Sequence, residues 1–404
     1  MEKKKILFVD DEPNILDGLR RMLRSLRADF DMYFAAGGQE ALELMGKNRF
    51  DVVISDMRMP GMDGAQLLET IQKEYPHTIR IMLTGQADED SILRTVGVVH
   101  QFLAKPCDPE KLKTILAQTS ALQDIMSDGR LKDLVSRLST LPSLPTVYAK
   151  LQKAIASPDV AISEVMGIIE QDIAMSAKVM QLVNSAFFGI YKKVESPGRA
   201  VALLGLDTIK ILVLGIEIFS QVKIPREIFQ IDTLWSHSLL VGKIAKAIAG
   251  HESEDKDLIN NTFLAGILHD IGRLILVSEL PDQYCQVIDL AREQKITLAV
   301  AEQMVFGAEQ SAVGAYLIGL WGFPSPIVEG IGFNHSLDKY PTDSFTPALA
   351  VHIANVLYYR HRQEEIVGRA QQLHSAIIER LALQDKVPDW EKICIKIMQV
   401  AEEG

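Results

Sequence analysis

An α/β doubly wound parallel five-stranded sheet, followed by an all-α region, is the fold class this sequence predicts, and three observations predict it. Between Lys4 and about Ser120, short apolar runs alternate five times with amphipathic stretches of helical spacing, the pattern of right-handed strand–helix–strand units. Beyond Ala121 the strand signals stop. From Thr146 to about Asn334 apolar residues then recur at helical spacing nearly throughout, which requires a buried all-α domain.

In order, the strand-like runs are Lys5–Val9, Phe30–Ala35, Val52–Ile54, Ile79–Leu83 and Val99–Ala104. Val52–Ile54 is β-branched and unbroken, as suits a parallel strand covered on both faces, and Pro60-Gly61 forces a turn after it. The intervening helices are expected at Pro13–Leu26, Gly38–Lys47, Gly64–Lys73, Asp88–Val96 and Asp108–Ala121, the last opened by Asp108-Pro109-Glu110, a capping aspartate with proline in the first turn. Leu122–Leu138 keeps helical spacing but is interrupted by Ser127-Asp128-Gly129, so a linker helix broken or kinked at Gly129 is expected. Leu141-Pro142-Ser143-Leu144-Pro145 bars any helix from continuing.

After that barrier the expected helices include Leu206–Ser220, Ile231–Gly250, Leu258–Ser278, Tyr284–Gln294, Thr297–Phe306, Gln310–Trp321 and Pro326–Gly332, with two or three more from Thr346 onwards. Four segments follow: 1–121, a linker over 122–138, a helical domain over 139–335, and a helical extension over 336–404 that packs on it.

The chain has 404 residues, 48% of them hydrophobic and 24% charged, with a net charge of −11. That length exceeds one ordinary core, and the charge argues against a broad nucleic-acid-binding surface; no helix clusters Arg and Lys for DNA. No apolar run reaches membrane-spanning length, and the start leads into a strand rather than a signal sequence. Cys107, Cys285 and Cys394 are odd in number and scattered, which fits a reducing cytoplasm rather than a disulfide framework.

Polar residues close four of the strand-like runs. Asp10-Asp11 follows Val9, Asp56 follows Ser55, Thr84 follows Leu83, and Lys105 follows Ala104. In a parallel sheet these ends meet at one edge, where open α/β folds bind ligands. Three carboxylates there repel unless a cation joins them, and an oxygen-rich site suits magnesium. A carboxylate beside magnesium and an ammonium can accept a phosphoryl group.

On these residues, about 3 to 124 resemble the receiver domains of two-component response regulators. The resemblance implies that Asp56 is the phosphoacceptor, Asp11 a direct magnesium ligand, and Asp10 its partner. It implies also that Arg58 offers its backbone carbonyl to the metal, that Thr84 and Lys105 contact the phosphoryl group, and that Phe102 changes rotamer with Thr84. A histidine kinase is the implied partner.

Leu264-Ala265-Gly266-Ile267-Leu268-His269-Asp270-Ile271 sets an imidazole and a carboxylate side by side in an apolar helix, which is costly unless both are bonded. His237, in another apolar stretch, can approach the pair. Three such groups can hold a divalent metal, or form a hydrogen-bonded cluster that fixes helix register. Together with Leu141–Pro145, Glu170–Val179, Val183–Gly189, Ala202–Leu206, Gly314–Leu317 and Trp321–Pro324, the region from 137 to 335 resembles the HDOD family, a relative of the HD metal-dependent phosphohydrolases. Departures stand out: Asn355 aligns where an active HD site needs aspartate, and Gln310 and Asn334 lie where related phosphodiesterases have more histidines nearby. His237, His269, Asp270, His335 and Asn355 then mark a degenerate site without a metal. That pattern favours a non-catalytic module contacting an unidentified output protein, with homodimerisation through the receiver and linker helix as an option. The alternative is a receiver-regulated metal-dependent hydrolase of a cyclic dinucleotide or nucleotide.

Overall fold

The protein is described as a computed structural model covering residues 3–84, 95, 98–105, 107, 109–125, 128–138, 141–143, 145–157, 160–183, 194, 196–206, 209, 219–221, 231–340, 342–362 and 372–403. Strands β1 (Lys4–Val9), β2 (Phe30–Ala35), β3 (Val52–Asp56), β4 (Ile79–Thr84) and β5 (Gln101–Ala104) alternate with helices α1 (Pro13–Met22), α2 (Gly38–Lys47), α3 (Gly64–Glu74) and α4 (Pro109–Ile125). All five strands are parallel, in the order β2-β1-β3-β4-β5. The expected helix Asp88–Val96 falls outside the described residues except at Thr95.

Alternation along β4 assigns Ile79, Ile81 and Leu83 to one core and Met82 to the other, as period-2 geometry requires. Arg80 and Thr84 share the Met82 face. On β5, Phe102 pairs with Met82 and belongs to that second core too.

The helical part begins with α5 (Gly129–Arg137), whose N-cap Asp128 accepts from Arg130 and Leu131 N–H; the linker is broken before Gly129 rather than kinked through it. Next come β6 (Leu141–Ser143), α6 (Pro145–Ala156), α7 (Ile162–Ile169), α8 (Ile173–Val183), α9 (Pro197–Leu204) and β7 (Phe219–Gln221). Then α10 (Ile231–Glu252), α11 (Lys256–Leu268), α12 (Ile271–Glu279), α13 (Pro281–Gln294), α14 (Leu298–Phe306), α15 (Gln310–Leu320) and α16 (Ser325–Phe333) build the domain centre. Finally α17 (Pro347–Arg362), α18 (Ser375–Arg380) and α19 (Val387–Glu403) close the chain, α19 burying Trp390, whose indole donates to Glu252 at 2.8 Å.

Two expectations are corrected. The helix read over Leu206–Ser220 does not hold at its end, where Phe219 and Ser220 belong to β7 and Ser220 pairs with Pro142 of β6, a segment its prolines keep extended; residues 207–208 and 210–218 of it lie outside the described residues. The single helix read over Leu258–Ser278 is two, separated at His269-Asp270. The His269 imidazole takes the carbonyl of Gly266, the one that would accept from Asp270 N–H in a continuous helix. Apolar periodicity runs through such a break without revealing it.

The Ile79 face of the sheet and the helical module share one continuous apolar core, from Ile6 and Leu112 through Val179 and Leu320 to Met398. A cation lies within this junction: Lys178 of α8 is 1% exposed and its ammonium stands 4.8 Å from the Trp321 ring. Burial pulls its pKa down to about 7. Because the unfolded chain holds that proton up to the ordinary value of 10.5, burial of Lys178 destabilises the fold at pH 7, and the penalty disappears above pH 10.5. Lys178→Met is therefore expected to raise Tm at pH 7 by at least about 2 °C, a gain that shrinks as the pH approaches 10. Thermal melts at the two pH values check this; an equal gain at both would exclude the ammonium as its source.

Candidate functional site

At the carboxyl edge of the sheet Asp10, Asp11 and Asp56 bring one carboxylate oxygen each to within 4.8 Å of one another. Lys105, the residue after β5, spans them: its ammonium is 2.7 Å from Asp10 Oδ2 and 2.7 Å from Asp56 Oδ1. Lys105 N–H also donates to the Thr84 carbonyl at 2.8 Å, which fixes the lysine beside the end of β4. Asp10 is steadied from its other oxygen by Glu12 N–H at 2.9 Å.

Burial lifts the Asp56 pKa above 3.8; Lys105 opposes the rise and Asp10 adds to it. Burial likewise works against the Lys105 charge, but its bonds to Asp10 and Asp56 prevail and the lysine is raised above 10.5. The lysine offsets only part of the acidic charge, so the hard oxygen cluster fits a magnesium ion. Thr84 and Phe102 are buried behind the cluster, and Arg58 is exposed on its rim, in a shallow cleft with Pro60 and Asp63.

The loop after Asp56 is held tightly. Gly64 N–H donates to Met57 O at 2.9 Å, Asp63 and Gln66 form a capping box at the start of α3, and a Cβ at Gly64 would be driven into the Asp56 carbonyl oxygen. The sequence marks Gly64 only as a helix start, and its close approach is a tertiary fact with no signal in spacing.

A second cluster lies inside the helical module. His237 of α10, His269 and Asp270 converge, with His237 Nε2 3.7 Å and His269 Nε2 3.5 Å from Asp270 Oδ2. The His269 Nδ1–H donates to Gly266 O at 2.7 Å, which turns the lone pair of Nε2 toward the carboxylate, the orientation of a metal ligand. His237 Nε2 is 3.2 Å from the Tyr359 hydroxyl. His335, His352 and Asn355 line the same cavity, of about 140 Å³; His335 is exposed, while burial pulls the His352 pKa down to about 4. Asn334 is turned away, its amide donating to Ile331 O at 2.7 Å.

The other oxygen of Asp270 is occupied. Arg273 Nη1 donates to Oδ1 at 2.7 Å and Gln310 Nε2 at 3.2 Å. Arg273 Nε reaches the Tyr284 hydroxyl at 3.1 Å; that hydroxyl donates to Glu302 Oε1 at 3.0 Å, and Glu302 Oε2 accepts from Gln310 N–H at 2.8 Å. A closed ring of buried partners results: Asp270, Arg273, Tyr284, Glu302, Gln310. Despite its burial Arg273 is held above the usual arginine range by Asp270, Tyr284 and Glu302. Sequence reading missed Arg273, Tyr284 and Glu302. Cations and carboxylates set in apolar helices, three residues after Asp270 and within Leu298–Phe306, were the available signal.

A parallel sheet with an acid-and-lysine pocket at its carboxyl edge, joined to a buried helical module, defines a receiver-type regulator. Family models agree: residues 6–117 match the response regulator receiver domain and residues 141–337 the HDOD domain. The chain belongs to the two-component response regulators that carry an HDOD domain. It is 26% identical over 263 residues to an uncharacterized protein of Treponema pallidum, covering 65% of this chain and 49% of that one. It is 32% identical over 125 residues to the response regulator protein PilR of Pseudomonas aeruginosa, covering 31% and 28%. An HDOD domain protein of unknown function from Geobacter sulfurreducens matches 72% of this chain and 96% of its own, at 24% identity and a TM-score of 0.37. The chain thus spans half or less of these curated relatives' own lengths. Among the described residues, no helix is long and apolar enough to cross a membrane.

Proposed function

We propose that Asp56 accepts a phosphoryl group from a histidine kinase and that the HDOD module answers by protein contact rather than by catalysis. The observation that carries the reading is the Lys105 ammonium set 2.7 Å from both Asp10 and Asp56. Asp10, Asp11 and Asp56, with the backbone carbonyl of Arg58, would hold magnesium, which supplies the positive charge an incoming phosphoryl group needs. Asp56 acts as nucleophile, Lys105 neutralises a phosphoryl oxygen, and the Thr84 hydroxyl donates to another. Thr84 moving toward that oxygen vacates space that Phe102 fills, a repacking of β4 and β5. The setting is cytoplasmic.

In the HDOD pocket the donor set does not fit a hydrolytic metal centre. Arg273 already neutralises Asp270, and Asn355 brings an amide where a carboxylate is needed. The orientation of His269 Nε2 and the convergence of His237, His269 and Asp270 favour a second reading, a metal-dependent phosphohydrolase of a cyclic dinucleotide or nucleotide. Turnover assays with manganese or ferrous iron separate the two. The protein is expected to hydrolyse cyclic dinucleotides and nucleoside phosphates no faster than its His269→Ala variant, and turnover abolished by that substitution would establish the hydrolase instead.

A further inference from the structure

Helix α15 touches the buried ring at one end and the receiver sheet at the other. Its first residue, Gln310, belongs to the buried ring, bonding Asp270 through its side chain and Glu302 through its backbone. Its last carbonyl, Leu320 O, accepts from the side-chain amide of Gln101 at 3.0 Å. Gln101 opens β5 and stands next to Phe102. A helix of this length spans about 16 Å, so one rigid element reaches from the receiver sheet to the relic pocket.

Both ends are fitted without slack. The open carbonyls at a helix C-terminus need donors, and Gln101 provides one across the domain junction. A Cβ at Gly322, just past α15, would press on the Gln101 side chain. At the other end α15 crosses α12, which starts right after Asp270. There a Cβ at Gly272 would be driven into the Gln310 carbonyl, so α12 and α15 move together.

A second tie runs from β4. Arg80 lies on the same strand face as Met82 and Thr84, is 1% exposed, and donates through Nη2 to the Ser136 carbonyl of α5 at 2.6 Å. His100 Nε2 lies 3.2 Å from that carbonyl. Tyr316, one turn before Leu320, faces the same pair, Ser136 and Arg80. β5 is one of the two edge strands, hydrogen-bonded to β4 alone within the sheet, and so is freer to shift than the central strands.

We propose that α15 is the coupling element of this protein: repacking of β4 and β5 is passed through Gln101 to α15 and on to the Gln310–Asp270–Arg273 contacts of the HDOD pocket. This rests on the reading of Asp56 as phosphoacceptor, and it names how that event is read out. Linkage requires the reverse as well, so whatever binds the pocket and moves Gln310 biases the receiver by the same factor.

The test is hydrogen exchange on the full chain, with and without beryllofluoride and magnesium, in wild type, Gln101→Ala and Gln118→Ala. Gln118 donates to Ser325 Oγ at 3.1 Å, a cross-domain bond that bypasses α15, and serves as the second variant. In wild type, beryllofluoride is expected to change exchange by at least about threefold both around Asp56 and in peptides covering 268–276 and 310–320. Gln101→Ala is expected to keep the receiver response and lose more than half of the pocket response, while Gln118→Ala keeps both. A wild-type receiver that responds while the pocket does not overturns the coupling. So does a pocket response undiminished in Gln101→Ala, or one lost equally in Gln118→Ala. A wild-type receiver that does not respond removes the Asp56 reading, and the coupling with it.

Discussion

Asp56→Asn is expected to abolish phosphoryl labelling from acetyl phosphate, by at least about a hundredfold, because the amide removes the nucleophilic oxygen pair on which the pocket converges. The substitution nearly preserves volume. It leaves Lys105 its bond to Asp10 at 2.7 Å, so loss of labelling will not reflect a collapsed pocket. Folding is checked by an unchanged Tm. Acid-stable or acid-labile label remaining in the variant at wild-type levels would transfer the role to another residue and remove the basis for a phosphorylated Asp56.

The second large effect concerns stability. Arg273→Met takes the cation from a buried carboxylate, and breaking one partner of such a pair costs about 3–5 kcal/mol. Asp270 is 1% exposed and would lose its cation, keeping Gln310 as a donor on Oδ1, while Tyr284 and Glu302 lose their link to it. Urea denaturation is expected to show the full loss for Arg273→Met and a much smaller one for Asp270→Asn combined with Arg273→Met, since the double change removes both charges at once. A single variant within about 1 kcal/mol of wild type would mean that the ring is solvated and not a stability element. If the pocket instead holds a metal, the double variant should be the less stable of the two, because it loses a ligand.

The sheet and its pocket were legible because parallel topology converts sequence into position: a polar residue ending each apolar run must arrive at the same edge. Asp10, Asp11, Asp56 and Lys105 needed no knowledge of long-range packing to be grouped. The helical module gave its elements but not its contacts. His269-Asp270 looked like part of one helix, since periodicity does not register a side chain that displaces a backbone donor. Arg273, Tyr284, Glu302 and Gln310 form their ring across four helices, and nothing local links them. For the same reason nothing in the run Val99–Ala104 marks out Gln101, although it bonds a carbonyl more than two hundred positions away.

The short parallel pair β6–β7 bears on how the chain comes into being. It joins Leu141–Ser143 to Phe219–Gln221, so the residues entering the helical module wait for partners made roughly eighty positions later. A sheet segment of that span forms late, after much of the intervening chain has left the ribosome. The module therefore cannot close its entrance progressively during synthesis, whereas the neighbouring strands of the sheet before it lie only tens of residues apart and can associate first. Birth order thus sets the sensing half in place before the half that responds to it.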